Sequence, residues 1–94
     1  MRWRRGPRTR FDTLFISRKA ARHVRERHRL EPEQVREAFE TGGRAGNVFR
    51  GGKSRSGERI YIVRGVTYAG LPLFVVVMSR GRGMASLITA REDR

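Results

Sequence analysis

The run Leu71-Pro72-Leu73-Phe74-Val75-Val76-Val77-Met78 is the longest apolar stretch in a chain that is 33% charged. It is far too short to cross a bilayer as a helix, which takes about 20 residues. It also lacks the apolar–polar alternation of a strand that is wet on one side, so both of its faces need cover. Leu73 to Met78 is therefore expected to be a central strand, with the remaining elements built around it.

The flanking segments supply neighbours for that strand. Arg59 to Tyr68 reads as a strand that Ala69-Gly70-Leu71-Pro72 turns back into the apolar run. Arg80-Gly81-Arg82-Gly83 is a second turn, leading to a last strand over Met84 to Ala90. Val48-Phe49-Arg50 is a shorter strand, separated from the next by a polar, glycine-rich turn over Gly51 to Gly57. Strands joined by short turns make an antiparallel meander. Upstream, Phe11 to Ile16 resembles a short first strand. Ser17 then suits an N-cap, and a helix to about Arg29 puts Ala20, Ala21 and Val24 on one face, with Arg18, Arg22, Arg25 and Arg29 on the other. Pro32 and its flanking acids Glu31 and Glu33 suit the start of a second helix. Val35, Ala38 and Phe39 form its stripe, and Thr41-Gly42-Gly43 is expected to stop it. The expected fold is α+β, in the order β-α-α-β-β-β-β, with an antiparallel sheet covered on one face by a helical hairpin. Residues 1–9, with Trp3, read as a flexible basic arm, and residues 10–94 as one domain.

Charge points to the partner. The 94 residues hold 22 Lys plus Arg against 9 Asp plus Glu, a formal net charge of +13, and only Lys19 and Lys53 are lysines. A small domain needs only about 2–8 net charges for solubility, so the shortage of acids implies a polyanionic partner. Arginine, with a planar fork of donors that matches phosphate and can stack on bases, favours nucleic acid, and RNA above all. No apolar stretch of signal-peptide length follows the basic start, so a cytoplasmic protein without a membrane partner is expected.

Within the expected sheet, Arg59 and Tyr61 share a face with Val63, while Ile60, Ile62 and Arg64 share the other. A sheet face left open by the helices could form a basic groove for single-stranded RNA. Arg50, Lys53, Arg55 and Arg59 would neutralise the backbone there. Tyr61, Tyr68 and Trp3 are stacking candidates, although tyrosines in strands more often pack half-buried. The absence of cysteine excludes disulfides, thiolate metal sites and a thiol nucleophile. His23 and His28 lie five residues apart, which puts them on different helical faces and off zinc-ligand spacing. No cofactor or metal is expected, and no paired carboxylates, Ser-His-Asp set or phosphate-binding glycine loop can be read. RNA cleavage needs none of these. The ribose 2′-hydroxyl is its own nucleophile, and a histidine and arginines suffice to move protons and neutralise the phosphorane.

Arg64-Gly65, Gly70, Leu73 to Val77, Arg80-Gly81 and the closing Leu87-Ile88-Thr89-Ala90-Arg91 resemble the BrnT toxins of the RelE/ParE toxin–antitoxin superfamily. Upstream, Lys19-Ala20 opens a helix that closes on His28, similar to that family's Lys-Ala…His-Gly-Val segment. The resemblance spans about Phe11 to Arg91. It implies a RelE-like fold and an endoribonuclease that acts with or without the ribosome. It also implies an acidic antitoxin from a neighbouring gene, with a dimer in the antitoxin complex. Arg64, Arg80 and Arg91 are then the expected phosphate and transition-state ligands, and His28 and Lys19 the proton carriers or positioning groups. Two other readings stay open: a non-catalytic RNA- or ribosome-binding module on the same fold, and a ParE-like toxin that acts on a protein.

Overall fold

The computed structural model describes residues 10–93; the basic arm over 1–9, including Trp3, lies outside the described residues. The elements are β1 (Thr13–Phe15), α1 (Arg18–His28), α2 (Pro32–Arg44), β2 (Val48–Lys53), β3 (Arg59–Val66), β4 (Pro72–Gly81) and β5 (Met84–Glu92). The fold is α+β, with one five-stranded sheet in the order β1-β5-β4-β3-β2. The apolar run lies in β4, in the middle of the sheet. Leu73, Val75 and Val77 point to the helical side and are fully buried.

The sheet is mixed, which corrects the expectation of an antiparallel one. Strands β2 to β5 form the antiparallel part, whereas β1 runs parallel to β5, with Thr13 opposite Met84 and Phe15 opposite Ser86. A chain that enters α1 directly after β1 and returns only at the last strand makes the long crossover a parallel pair requires. The helices also pack on the sheet more than on each other: α1 lies against β5, and α2 against β3 and β4. They cover one face together without forming a closely packed hairpin.

Local chemistry accounts for the helices. Ser17 Oγ accepts from the Ala20 N–H at 3.0 Å and caps α1. Arg29 ends that helix in the left-handed conformation, φ 55°. Pro32 opens α2, and Gln34 Oε1 reaches back to accept from the Glu31 N–H at 2.9 Å. Contrary to expectation, α2 does not stop at Thr41-Gly42-Gly43 but runs to Arg44. Its glycines serve close approach. A Cβ on Gly42 would lie 2.6 Å from the Arg64 carbonyl oxygen, and one on Gly65 would fall on the Ala38 carbonyl. At the same crossing, Thr41 Oγ1 accepts from the Val66 N–H at 2.9 Å and lies 2.8 Å from the Val66 carbonyl, which it can reach as a donor. One hydroxyl thus serves strand backbone that β2 does not reach.

Two strand ends also differ from expectation. Gly51 and Gly52 belong to β2, with a bulge between Arg50 and Gly52. A Cβ on Gly51 would lie 3.1 Å from Ile60 Cγ2, so this strand also runs close over its neighbour. The two-residue loop Arg82-Gly83 closes the β4–β5 hairpin with both φ angles positive, the twist-matched geometry for such a turn. None of the described helices is long and apolar enough to cross a membrane.

The glycine crossing sets up opposite outcomes for two conservative changes. Gly65→Ala is expected to force α2 and β3 apart at a cost of about 1–3 kcal/mol. Gly43→Ala meets nothing within 4 Å and should gain up to about 1 kcal/mol of helix propensity. Thermal melts should therefore move in opposite directions, by roughly 4–8 °C per kcal/mol. Equal melting temperatures would show that α2 does not rest on β3 in this way.

Candidate functional site

The ladder between β1 and β5 ends at Ser86, so β5 continues over Leu87–Glu92 past the end of its short neighbour. There α1 packs beside it. A bulge in β5 pairs Val77 with Leu87 and Val76 with Thr89, leaving Ile88 as the extra residue. Bulges re-aim the side chains around them, and here Thr89 Oγ1 meets His23 Nε2 of α1 at 3.0 Å.

His23 and His28 do not stand apart as their spacing suggested. Their ring centroids are 5.3 Å apart, with planes inclined at 69°. At 100° per residue the two Cβ atoms diverge by about 140° around the helix. But His28 is the last residue of α1, and helical side chains lean toward the N-terminus, which returns its ring toward His23. Burial, then the His23 ring, then the Arg91 and Arg27 guanidiniums hold His28 below its ordinary value of 6.5. Among these causes, Arg91 is the one that comes from β5. The corner therefore assembles His23, Arg27 and His28 from one element with Thr89 and Arg91 from another.

The residues singled out in the sequence divide between this corner and other parts of the surface. His28 and Arg91 lie within electrostatic reach of each other. Lys19 lies four residues before His23, on the same helical row. Arg91 lies over the Phe74 ring, 4.5 Å from its centroid, and Phe74 sits opposite both Arg91 and Arg64 in the ladders. Arg64 is thus two strand spacings from Arg91, roughly 10 Å, and its Nε donates to Asp93 Oδ2 at 2.7 Å. Arg80 is not part of the group. It lies six residues along β4 from Phe74, on the order of 20 Å, where its Nε donates to Ser86 Oγ at 2.9 Å. Antiparallel pairing carries the two arginines to opposite ends of the β4–β5 hairpin.

The expected RNA-binding residues form a second region. Arg50, Lys53, Arg55 and Arg59 are exposed along β2, its turn and the start of β3. That edge is three strand spacings from β5, on the order of 14 Å. Hydrogen bonds order the turn between the strands: Ser54 Oγ donates to Glu58 Oε2 at 2.6 Å, and the hydroxyls of Ser54 and Ser56 draw the Glu58 carboxyl down to about 2. Tyr61 is not on this surface. It is only 6% exposed, on the helical side, with its ring edge-on to Phe11 at 5.4 Å. Tyr68 is exposed, but its hydroxyl donates to Glu40 at 3.0 Å, beside acids that would repel a phosphate.

The uncovered sheet face also differs from the basic groove expected. By alternation it carries Phe49, Ile60, Ile62, Phe74, Val76 and Met78. Its centre is apolar, and its arginines stand at the ends, Arg64 and Arg91 at one and Arg80 at the other. A cleft of about 670 Å³ opens elsewhere, between the approach to β1 and α2, lined by Phe11, Arg36, Phe39 and Arg44 among others. It holds no histidine, and an extended nucleic-acid strand needs a groove more than a cavity, so the β5 corner is the better candidate for chemistry. No three His, Asp or Glu side chains gather as a metal-ligating group among the described residues.

Sequence reasoning missed His23, Thr89 and Arg27. The available signal was the row Lys19, His23 and Arg27 at four-residue spacing. Thr89 gave none, because its aim depends on the bulge. Comparison with family models, curated proteins and solved structures returns no match for the chain.

If the corner assembles this way in solution, His28 titrates below 6.5 in a proton NMR titration. Arg91→Ala and His23→Gln each remove one depressing charge and should move its titration upward. Depression of the folded value means that its contribution to stability is present above 6.5 and is lost as pH falls through the folded value. An unchanged His28 titration in both variants would show that the two elements do not meet.

Proposed function

We propose that this chain is a BrnT-like toxin of the RelE/ParE superfamily, an endoribonuclease that needs no metal ion and blocks translation until an acidic antitoxin covers it. The observation that carries the reading is that α1 and β5 join at one corner, where His23 meets Thr89 at 3.0 Å and the Arg91 charge acts on His28. His28 and Arg91 close the two segments on which the resemblance rests, and nothing but the fold brings them within electrostatic reach. Arg29 adds support: it adopts the left-handed conformation that the glycine of the family's His-Gly step takes without steric cost.

The chemistry fits the groups. A histidine held toward its neutral form near pH 7 can accept the 2′-hydroxyl proton. A guanidinium fixed over an aromatic ring can face a phosphate whose charge rises as the 2′-oxygen attacks. The net charge of +13 draws RNA to the surface, and the exposed arginines of the β2–β3 hairpin offer further backbone contacts. The same charge suits an acidic antitoxin. The apolar sheet face between Arg64, Arg91 and Arg80 suits a partner segment that is apolar in its centre and acidic at its ends.

The test is to incubate the purified protein with RNA in excess chelator, alone and with ribosomes. Wild type is expected to leave 2′,3′-cyclic phosphate ends. Arg91→Ala should slow cleavage by about 10²–10³ while weakening RNA binding only modestly, because catalysis depends on contacts that strengthen in the transition state. Arg80→Ala, at the far end of the hairpin, should weaken binding more than it slows the cut. A wild type that binds RNA tightly yet cuts nothing in either setting would make the chain an RNA-binding module.

A further inference from the structure

We propose that His23 and His28 act as an acid–base pair in RNA cleavage, with Thr89 as the residue that positions His23; this inference rests on the endoribonuclease reading. Transesterification at phosphorus needs two proton transfers. The 2′-oxygen loses its proton as it bonds to phosphorus, and the 5′-oxygen gains one as the P–O5′ bond breaks. A single histidine can do one of these at a time. The β5 corner offers two rings 5.3 Å apart, on the part of β5 that continues past β1.

The charges around the pair assign the roles. His28 faces His23 and Arg27 on its own helix and Arg91 from β5. Burial and these neighbouring charges disfavour a proton on His28, and two imidazolium rings this close repel each other. The base role therefore falls to His28, and the acid role to its partner ring, His23. His23 faces His28 and, from β5, the neutral Thr89 hydroxyl at 3.0 Å. With Nε2–H donating to Thr89 Oγ1, Nδ1 of the imidazolium carries the proton to be given. His28 takes the 2′-hydroxyl proton, the 2′-oxygen–phosphorus bond forms, and the bond to the 5′-oxygen breaks. His23 protonates that oxygen, leaving a 2′,3′-cyclic phosphate and a 5′-hydroxyl. Proton exchange with water then resets the pair. Arg91 needs no proton of its own to move; it faces the phosphorane charge.

Thr89 explains why this arrangement depends on the bulge. Without an extra residue at Ile88, alternation from the buried Leu87 and Ala90 could not be kept on both sides of Thr89. The hydroxyl that orients His23 is thus set by the same irregularity that keeps β5 packed under α1.

The test compares two RNA substrates of one sequence in excess chelator. One has the ordinary oxygen, the other sulfur, at the 5′-bridging position of the linkage that wild type cuts. A thiolate leaves without a proton, so the sulfur substrate needs no general acid. His23→Ala is expected to slow the oxygen substrate by about 10²–10³ and to return to within about tenfold of wild type on the sulfur one. His28→Ala should be comparably slow on both, because deprotonation of the 2′-hydroxyl is still required. Thr89→Val should slow the oxygen substrate and spare the sulfur one, a split that loss of fold would not produce. A His23→Ala variant that cuts both substrates at the wild-type rate, or is equally impaired on both, overturns the assignment and leaves the endoribonuclease reading intact. A wild type that cuts neither overturns both.

Discussion

Where α2 crosses β3, neither backbone leaves room for a side chain, and the rest of the architecture is hung from that contact. Gly42 and Gly65 face each other there, and Thr41 serves both polar groups of Val66 beside them. The Gly42 carbonyl accepts from the Asn47 N–H at 2.9 Å, and the Asn47 carbonyl from the Arg64 N–H at 3.0 Å. The end of the helix is therefore stitched to β3 by backbone hydrogen bonds through Asn47 as well as by the Thr41 hydroxyl. Such a crossing fixes the height of the helical layer over the sheet. Only Arg29-Leu30-Glu31 separates α1 from α2, and Leu30 is buried in the core. Once α2 is seated on β3, α1 has little choice but to lie over β5.

That placement makes the corner at β5. β1 is short. With three residues it pairs only Met84 to Ser86. Beyond Ser86, α1 lies against β5, and His23 meets Thr89 there. Arg91 is held by the Phe74 ring, a contact worth about 0.5–1 kcal/mol where solvent reaches it. That is enough to bias the guanidinium toward one position and too little to lock it away from a ligand. Arg64 is more committed, since its fork already has Asp93 as a partner.

How much of this could be read in the residues depended on whether the signal was local. The apolar run gave β4 its central place, Ser17 and Pro32 marked the helix starts, and the Arg82-Gly83 turn followed from its glycines. Each of these is decided within a few residues. The helix through Gly42 and Gly43 could not be read, because a glycine that ends a helix and a glycine that lets a strand approach look alike until the strand is known. The parallel pairing of β1 depends on residues about 70 positions away in the chain. Alternation correctly put Tyr61 and Val63 on one face of β3, but which face the helices would cover was not encoded in β3 itself. The contact between His23 and His28 was missed because helical angle alone was considered, without the lean of a terminal side chain. Arg80 was joined to Arg91 in sequence reasoning because both end strands; the ladder register separates them.

The uncovered sheet face shows what an arginine can do at Arg91 that a lysine could not. Ile62 and Phe74 are only 6% and 8% exposed although no helix lies over them. Something on that side has to shield them, and for Phe74 it is Arg91. A guanidinium is flat, weakly hydrated and able to lie on an aromatic ring while its N–H groups point outward in the ring's plane. An ammonium is a compact, strongly hydrated charge and would stand away from the ring. The same side chain can therefore seal apolar surface with its face and offer donors to a phosphate with its edge. Cover for the sheet and readiness for an anion are, at Arg91, one interaction, and the ring that gains from the cover also holds the donors where β5 and α1 meet.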